Sequence, residues 1–302
     1  MKRECPHCNS PNPSHSKFGS FVRASDGRKL KRFRCHHCRR TYSEATFQLC
    51  YRQKKRRINP RIRELLASCV SQRRIALLLG TNRKTVVRKF LFLAQVAREQ
   101  NQKDFERLHS ISAFQFDDLE TIEHTKCKPL SVTMAVNPIE RWIFGIVVSR
   151  MPAKGLLAKI SRKKYGHRPD ERPRQRNALF ERLATKTIPE VLIESDENPH
   201  YRGAVKRWFP KCDHQTVKGG RGCVAGQGEL KKLGFDPLFT LNHTFAMLRD
   251  NISRLVRKTW CTTKKPERLD AHLQLYIHFH NHVLIKQKRP NRAKPLMEAS
   301  AS

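Results

Sequence analysis

Two short cysteine pairs near the start of the chain constrain its fold more than any other feature. Each pair is a CxxC motif, Cys5 with Cys8 and Cys35 with Cys38, and 26 residues separate the two motifs. Two thiolates from one tight turn can reach the same tetrahedral ion, and a second pair completes a Cys₄ site of the kind that holds structural zinc. Paired spacing of this sort in a chain of ten cysteines favours metal binding over disulfides.

The residues between the two motifs are typical of a β-hairpin. Apolar residues recur over 18–22, a Ser-Asp-Gly turn follows at 25–27, and a second strand pattern covers 30–34. We expect Phe33 and Tyr42 to pack beside the metal, because so small a core needs it. The sequence therefore predicts a zinc ribbon over residues 1–50. Three histidines stay open as replacements for a cysteine ligand, namely His7, His36 and His37.

A helical pattern begins at residue 58 and predicts a helix-turn-helix over residues 58–98. Asn59 precedes Pro60 as a helix cap would, Ser71 opens a second helix with Ile75, Ala76, Leu78 and Leu79 as its apolar side, and Gly80 supplies the turn. A third helix starts after Thr81 or Asn82 and would present its first residues to the major groove. The residues predicted to contact DNA there are Asn82, Arg83, Lys84 and Arg88.

The charge of the chain indicates a polyanionic partner. Lys and Arg number 62 against 26 Asp and Glu, which leaves a formal net charge of +36. Self-repulsion on this scale has no advantage for folding, so we expect double-stranded DNA as the partner. Residues 1–110 contain 27 of the basic side chains but seven of the acidic ones. A basic run after the ribbon is predicted to lie along phosphates, and it includes Lys54, Lys55, Arg56 and Arg57.

Beyond residue 110 the pattern changes to strands, two of which end in acids. Residues 111–120, 130–136 and 141–148 read as an antiparallel meander, and a basic helical stretch over 154–176 follows. A buried strand then covers 191–196. Two-metal phosphoryl transfer requires carboxylates in this arrangement, so Asp117 and Asp196 are the predicted ligands of catalytic magnesium or manganese. The fold class is α+β, with a mixed sheet flanked by helices over 110–285.

These segments together resemble bacterial insertion-sequence transposases of the insertion-sequence-one family, with its two reading-frame products joined in one chain. The resemblance covers nearly the whole chain: the CxxC…CxxC ribbon, the helix-turn-helix, Phe-Asp-Asp at 116–118, Ser-Asp-Glu-Asn-Pro-His-Tyr at 195–201, and a helix over 242–259 with a Leu-Arg…Arg-Leu-x-Arg-Lys-Thr ending. It implies a ribonuclease-H-like fold with an Asp-Asp-Glu triad, which cuts element ends and joins their 3′-hydroxyls to target DNA. It also implies a homo-oligomer on DNA.

The third acid of the triad departs from the family pattern. Counted back from Leu248-Arg249, the glutamate of the family falls at Asn242. Asn242 or the adjacent His243 is our first candidate for the third catalytic ligand, since a histidine on a helix can hold a divalent metal in this type of fold. Glu229 is the second candidate. The third alternative is a chain that has lost its chemistry.

The C-terminal region raises three further expectations. In the helix over 242–259, a basic face of Arg249, Arg254, Arg257 and Lys258 would line a DNA channel or lie in solvent, and the opposite side would face the core. A last helix over 266–284 contains four histidines, of which His278 and His282 share a face; surface or hydrogen-bonded positions are favoured for them over a metal cluster. Residues 286–302 are predicted to form a disordered tail.

The predicted function is DNA transposition, and two other classes remain open. One is a degenerate transposase that binds DNA as a regulator. The other, an RNA-binding protein, lacks the expected aromatic stacking signature. No apolar run is long enough to span a membrane, and the start of the chain lacks the apolar stretch of a signal peptide. We therefore expect a cytoplasmic bacterial protein, associated with the nucleoid when it binds DNA.

Overall fold

The computed structural model describes residues 4–8, 14–218, 236–256 and 261–286. The chain divides into two compact units, residues 1–63 and residues 64–302. The predicted tail over 286–302 lies outside the described residues except for Lys286. No helix among the described residues combines the length and apolar character that crossing a membrane requires.

The first unit contains a three-stranded antiparallel sheet in the order β1-β2-β3. Its strands are β1 (His15–Val22), β2 (Lys29–Cys35) and β3 (Thr41–Ser43). The hairpin between β1 and β2 coincides with the one predicted from sequence. Phe33 pairs with Tyr42 across the β2–β3 ladder, and both are buried beside the cysteines, as predicted.

Three helices follow the ribbon, and two of them begin at predicted caps. They are α1 (Asn59–Leu66), α2 (Gln72–Leu78) and α3 (Arg83–Glu106). The Ser71 side chain accepts a hydrogen bond from the N–H of Arg74 (3.4 Å), and Asn82 accepts one from the N–H of Lys84 (2.8 Å). Gly80 has φ +53°, the left-handed conformation that the predicted turn needs.

Two expectations for these helices need correction. Asn59 is the first residue of α1 rather than its cap, because a 3₁₀ turn over Arg56–Ile58 leads directly into the helix. Leu78 is 60% exposed, since α2 packs on α3 through its Ile75–Ala76 side. The helix that opens after Asn82 continues well beyond the predicted helix-turn-helix boundary at residue 98 and ends at Glu106.

The second unit is built on a mixed five-stranded sheet in the order β6-β5-β4-β7-β8. The strands are β4 (Ile111–Glu123), β5 (Thr125–Val136), β6 (Ile143–Arg150), β7 (Thr187–Asp196) and β8 (Asp213–Val217). The first three form an antiparallel meander, and β7 pairs in parallel with both β4 and β8. A mixed sheet with helices around it confirms the α+β class.

Five helices accompany this sheet within the described ranges. They are α4 (Leu157–Tyr165), α5 (Arg172–Ala184), α6 (Pro199–Trp208), α7 (Phe239–Asn251) and α8 (Pro266–Phe279), and α8 continues into a π-helical turn over His280–Leu284. An aromatic core joins α5 and α6 to one face of the sheet, where Phe116 lies 4.9 Å from Phe180 and 4.8 Å from Tyr201 between ring centroids. On the other face α7 packs on β4 and β5, and α8 packs on α3 and β6.

The helix expected over 242–259 is shorter than predicted. It ends at Asn251, whose side chain donates a hydrogen bond to the carbonyl of Met247 (2.9 Å). The Asn251 carbonyl accepts a hydrogen bond from the N–H of Cys69 (2.8 Å) and not from a following turn of helix. Arg254 then stacks over the ring of Phe90 at 5.7 Å, and burial lowers its pKa, so it does not belong to an exposed basic face. Residues 257 and 258 of that face lie outside the described residues.

Candidate metal centre and active site

The structure brings the four cysteines of the two motifs together. The Sγ atoms of Cys5 and Cys38 are 3.6 Å apart, those of Cys8 and Cys35 are 3.8 Å apart, and all four lie within 4.8 Å of one another. A tetrahedral zinc with Zn–S bonds of about 2.3 Å requires sulfur atoms about 3.8 Å apart. The cluster therefore fits a structural zinc without rearrangement.

The turns around the cysteines also favour the thiolate form that zinc requires. The backbone N–H groups of Cys38 and His37 point at the Cys35 sulfur, and they lower the pKa of that thiol to about 7. Of the three histidines kept open as ligands, His7 contacts the carbonyl of Thr41 at 3.3 Å instead. Among the described residues, the ligand group in this unit consists of the four cysteines alone.

The residues predicted to contact DNA lie at exposed positions around α3 and before α1. At the start of α3, Arg83, Lys84 and Arg88 are exposed, and Asn82 is exposed while its side chain caps the helix. In the basic run, Lys54, Lys55 and Arg57 are exposed, whereas Arg56 donates to Gln48 at 3.2 Å. These positions suit contact with a polyanion, and no side chain among them has to leave a core to make it.

Asp117 and Asp196 lie on adjacent parallel strands and on the same face of the sheet. The registered pairing of β4 with β7 reaches Gln115 opposite Glu194, and each aspartate follows two residues later on its strand. Side chains two residues apart on a strand point to the same side, so all four polar groups share one face. Tertiary pairing thus brings together two acids that lie far apart in the sequence.

Burial and repulsion from neighbouring acids act on the carboxyl groups of both Asp117 and Asp196. Burial raises the pKa of Asp117 to about 6, and the negative charges of Asp196 and Asp118 contribute to the increase. Burial also raises the pKa of Asp196, with further contributions from Asp118 and Glu197. A divalent cation between the carboxylates would offset this penalty, so the donor set fits an oxygen-liganded metal such as magnesium.

Two hydrogen bonds orient the carboxylate of Asp117. One oxygen accepts the Tyr201 hydroxyl at 3.0 Å and the N–H of Asp118 at 2.6 Å. Tyr201 is buried in the first turn of α6, and Asn198 caps that helix by accepting from the N–H of His200 at 3.1 Å. The aspartate on β4 is thereby positioned by the helix that follows β7.

Asp118 has a different environment from its neighbour. Its carboxylate faces the buried Arg176 guanidinium at 3.6 Å and accepts a hydrogen bond from Thr133 on β5. Arg176 also stacks over the Tyr201 ring at 4.8 Å. Asp118 is therefore held in an ion pair with α5, whereas Asp117 is held by a neutral hydrogen bond from α6 and has no cationic ion-pair partner within the described residues.

Gln115 ties the start of α7 to the two acidic strands. Its side chain accepts the N–H of Leu241 at 3.1 Å and donates to Glu194 at 3.0 Å and to the carbonyl of Pro237 at 2.8 Å. Asn242 comes next on the helix; its side chain is exposed and donates to Asp236 at 3.0 Å. The first turn of α7 therefore lies on the face that carries Asp117 and Asp196.

The other candidates for the third ligand have different positions. The ring of His243 lies 5.7 Å from Phe239, and its charge adds to the effect of burial in lowering the pKa of His280. His280 belongs to the π-helical turn. Its Nε2 lies 2.9 Å from the carbonyl oxygen of Arg141, a residue that precedes β6. His243 therefore lies in the neighbourhood of the π-helical turn. Glu229 lies outside the described residues.

An open cleft of about 480 Å³ adjoins Asp196. Two cations, Lys154 and Arg172, line it together with Glu197, Asn198 and His200. Basic groups beside carboxylates suit a phosphodiester that approaches a metal held by those carboxylates.

Several residues of this site escaped sequence analysis. Gln115 and Glu194 alternate with core residues two positions before each aspartate, which is the one signal that could have indicated them. Tyr201 lies in the motif over 195–201 and Arg176 in the basic stretch over 154–176, but their contacts with Asp117 and Asp118, like that of Asp236 with Asn242, depend on helices packed against the strands.

Comparisons with known proteins add little to this geometry. No protein-family model matches the chain, and no curated protein matches it either. Among solved structures, the chain is similar to one described as a pre-cleavage Mos1 transpososome, with 9% identity over 76% of this chain and 79% of that chain. The TM-score is 0.18, so the likeness carries no conclusion about fold or function.

Proposed function

We propose that this chain is a DNA transposase that binds element ends and catalyses metal-dependent strand cleavage and strand transfer. The observation that carries the proposal is that Asp117 and Asp196 lie on one face of adjacent parallel strands, each two residues beyond the last registered pair, with raised pKa values at both carboxyls. Perturbed carboxyl groups beside a cleft are characteristic of functional sites. The net charge of +36 supports a nucleic-acid substrate, and the cleft next to Asp196 has two cations, Lys154 and Arg172, beside its acids.

The proposed fold of residues 110–285 is ribonuclease-H-like. An antiparallel meander extended by two parallel strands, with α5 and α6 on one face and α7 on the other, supports it. The sequence resemblance to insertion-sequence transposases at residues 116–118 and 195–201 also supports it, because the sheet places these two distant segments on adjacent strands.

In the proposed mechanism, Asp117 and Asp196 hold the catalytic magnesium or manganese. A divalent ion held there would supply activation of the attacking oxygen and stabilisation of the leaving oxygen in an in-line displacement. Tyr201 and the N–H of Asp118 orient the Asp117 carboxylate. Asp118 and Arg176 keep the β4 backbone and Tyr201 in place, and Lys154 and Arg172 attract the phosphodiester.

The third ligand in this proposal comes from the first turn of α7. Asn242 is favoured over His243, because Gln115 anchors the backbone just before Asn242 between β4 and β7, whereas the ring of His243 packs beside Phe239. Asp236 accepts a hydrogen bond from the Asn242 side chain and so adds a carboxylate beside the first turn of α7. An amide where the family has a glutamate also favours the second candidate function, a DNA-binding regulator derived from a transposase.

The DNA-binding regions in this proposal are the zinc ribbon of residues 1–50 and the helix-turn-helix of residues 58–98. The exposed basic residues at the start of α3 would contact base edges or phosphates, and the run before α1 would contact phosphates. Transposition acts on two ends at once, so the proposed active form is a homo-oligomer on double-stranded DNA.

Divalent-metal-dependent cleavage and joining of a plasmid that carries the element ends tests the proposal. We expect Asp117→Asn and Asp196→Asn to abolish both reactions in Mg²⁺ and Mn²⁺. The exposed β8 acid Asp213 provides a matched control, and Asp213→Asn should retain activity. Asn242→Ala, His243→Ala and Glu229→Gln are tested in the same assay, and the variant that loses cleavage and joining identifies the third ligand.

The same preparation separates the two candidate functions. Specific binding to the element ends without cutting in either metal would refute the catalytic proposal and establish the regulator. Preference for single-stranded RNA over duplex DNA would refute both.

A further inference from the structure

We propose that Asp104, His278 and His282 form a second transition-metal site, separate from the cysteine cluster and from the acidic site. One ligand atom of each residue lies within 4.8 Å of the others, and these three residues are the second ligand group found among the described residues. Two imidazoles and one carboxylate form a ligand set suited to zinc or a similar divalent ion.

The helix geometry places the two histidines side by side. His278 and His282 are four residues apart at the junction of α8 with its π-helical turn, and their ring centroids are 4.6 Å apart. Histidines at this spacing on one helix face form the paired ligands of many zinc sites. π-Helical turns are rare and occur frequently at functional sites.

Asp104 supplies the third ligand from the last turns of α3. One carboxylate oxygen lies 2.7 Å from His282 Nε2, and the other accepts a hydrogen bond from Gln100 at 2.9 Å. Gln100 therefore orients the carboxylate as an outer partner of a metal ligand does. A metal would replace the His282–Asp104 hydrogen bond by two coordinate bonds and leave the Gln100 contact in place.

The surroundings hold the turn in position for this role. The Asn281 side chain is buried and both accepts from the N–H of Ile143 and donates to its carbonyl, each at 3.0 Å. The His282 ring packs edge-on against Trp142 at 5.6 Å. These contacts to β6 and the residue before it restrict the His282 ring before any ion binds, which lowers the entropic cost of coordination.

The exposure of the ligands fits three protein donors with solvent at the open position. The side chains of Asp104 and His282 are 11% and 28% exposed. An ion there would fasten the end of α3, the helix that begins at the proposed DNA-reading residues, to the end of α8. The site thus has a structural role that neither the ribbon nor the acidic cluster provides.

Cobalt(II) titration of the metal-stripped, tag-free full chain tests the proposal, with saturating Mg²⁺ present to occupy oxygen-only sites. We expect two cobalt equivalents per chain, one with the thiolate charge-transfer absorption of the cysteine cluster and one with weaker bands typical of nitrogen and oxygen ligands. His278→Gln should remove the second equivalent and retain the first. His109→Gln, at an exposed histidine on the same unit, should retain both.

A thermal melt with and without added zinc provides a readout independent of spectroscopy. Tryptophan fluorescence follows the unit of residues 64–302, which contains all three tryptophans, so zinc bound by the cysteines of the other unit does not dominate this melt. His278→Gln leaves the His282–Asp104 hydrogen bond intact, so in this readout the variant should melt like the metal-free wild type and lose the zinc-induced increase in Tm. A wild-type stoichiometry of one, or two equivalents retained in both His278→Gln and His282→Gln, would overturn the proposal. Neither outcome depends on whether the chain cleaves DNA.

Discussion

Lowering the pH from 7 to 5 is expected to cost the unit of residues 64–302 about 2 kcal/mol of unfolding free energy through His272 alone. Its Nε2 donates to the carbonyl of Leu66 at 2.9 Å, at the end of α1, and its ring packs edge-on against Phe90 of α3 at 5.6 Å. Complete burial lowers its pKa from 6.5 to about 4, and the charge of Arg254 acts in the same direction.

The sign follows from which state binds the proton. Below pH 6.5 the unfolded chain protonates this imidazole while the folded chain leaves it neutral, so stability falls until the pH reaches about 4. Each unit of difference in pKa corresponds to about 1.4 kcal/mol, and the part that develops between pH 7 and pH 5 is about 2 kcal/mol.

Urea unfolding followed by tryptophan fluorescence measures this effect, because the three tryptophans lie after residue 63. His272→Gln is the matched variant, since its amide can donate to Leu66 but cannot titrate. Wild type should lose about 2 kcal/mol more than the variant between the two pH values. Other titrating groups, His280 included, cancel in that difference. Equal losses in the two proteins would refute a neutral, buried His272.

The remaining predictions concern the ribbon, the acids and the sheet. Cys35→Ser should release the zinc of residues 1–50 and expose that region to proteolysis; a retained zinc equivalent would contradict the Cys₄ assignment. In EDTA at pH 8, Asp117→Asn should increase stability by about 1–3 kcal/mol, because ionising a carboxyl with pKa about 6 is unfavourable in the folded state, and the gain should disappear below about pH 4. Asp118→Asn should instead cost about 3 kcal/mol by leaving its buried guanidinium partner unpaired, and a gain in urea unfolding would refute the ion pair. Gly145→Ala should lower the free energy of unfolding by about 1–3 kcal/mol in the same assay, because its new Cβ would lie 2.7 Å from a methyl group of the buried Leu179 on α5. An unchanged urea midpoint would show that α5 can move away.

Local patterns were enough to predict the ribbon and most of the strands. The CxxC motifs, the turn at residues 25–27 and the alternation over 111–120 each encode geometry within a few residues, and the structure has the corresponding elements. Helix starts at Ser71 and Asn82 were also predictable, because a cap depends on one side chain and the N–H groups just after it.

Helix ends and buried charges were predicted less well. Neither the end of α7 at Asn251 nor the stacking of Arg254 on Phe90 follows from the local pattern. Cys69, from a distant part of the chain, occupies the Asn251 carbonyl and so helps end the helix. The extension of α3 to Glu106 likewise accompanies its packing on α8, which a polar sequence does not indicate.

For the proposed active site, the identity of Asp117 and Asp196 and their location in strands follow from the order of residues, as does the basic character that attracts DNA. Asp196 ends β7 as predicted, but Asp117 does not end β4, because that strand continues to Glu123 in its pairing with β5. Their proximity depends on the parallel pairing of β4 with β7, and the roles of Tyr201, Arg176 and Gln115 depend on α5, α6 and α7 packing around those strands. The same is true of Asp104, which meets His278 and His282 although they lie near the other end of the chain. Periodicity and spacing specify the secondary structure of a segment. Contacts between distant segments form only in the folded chain, where the free energy of burying apolar surface in a common core offsets the entropic cost of closing the loops between them.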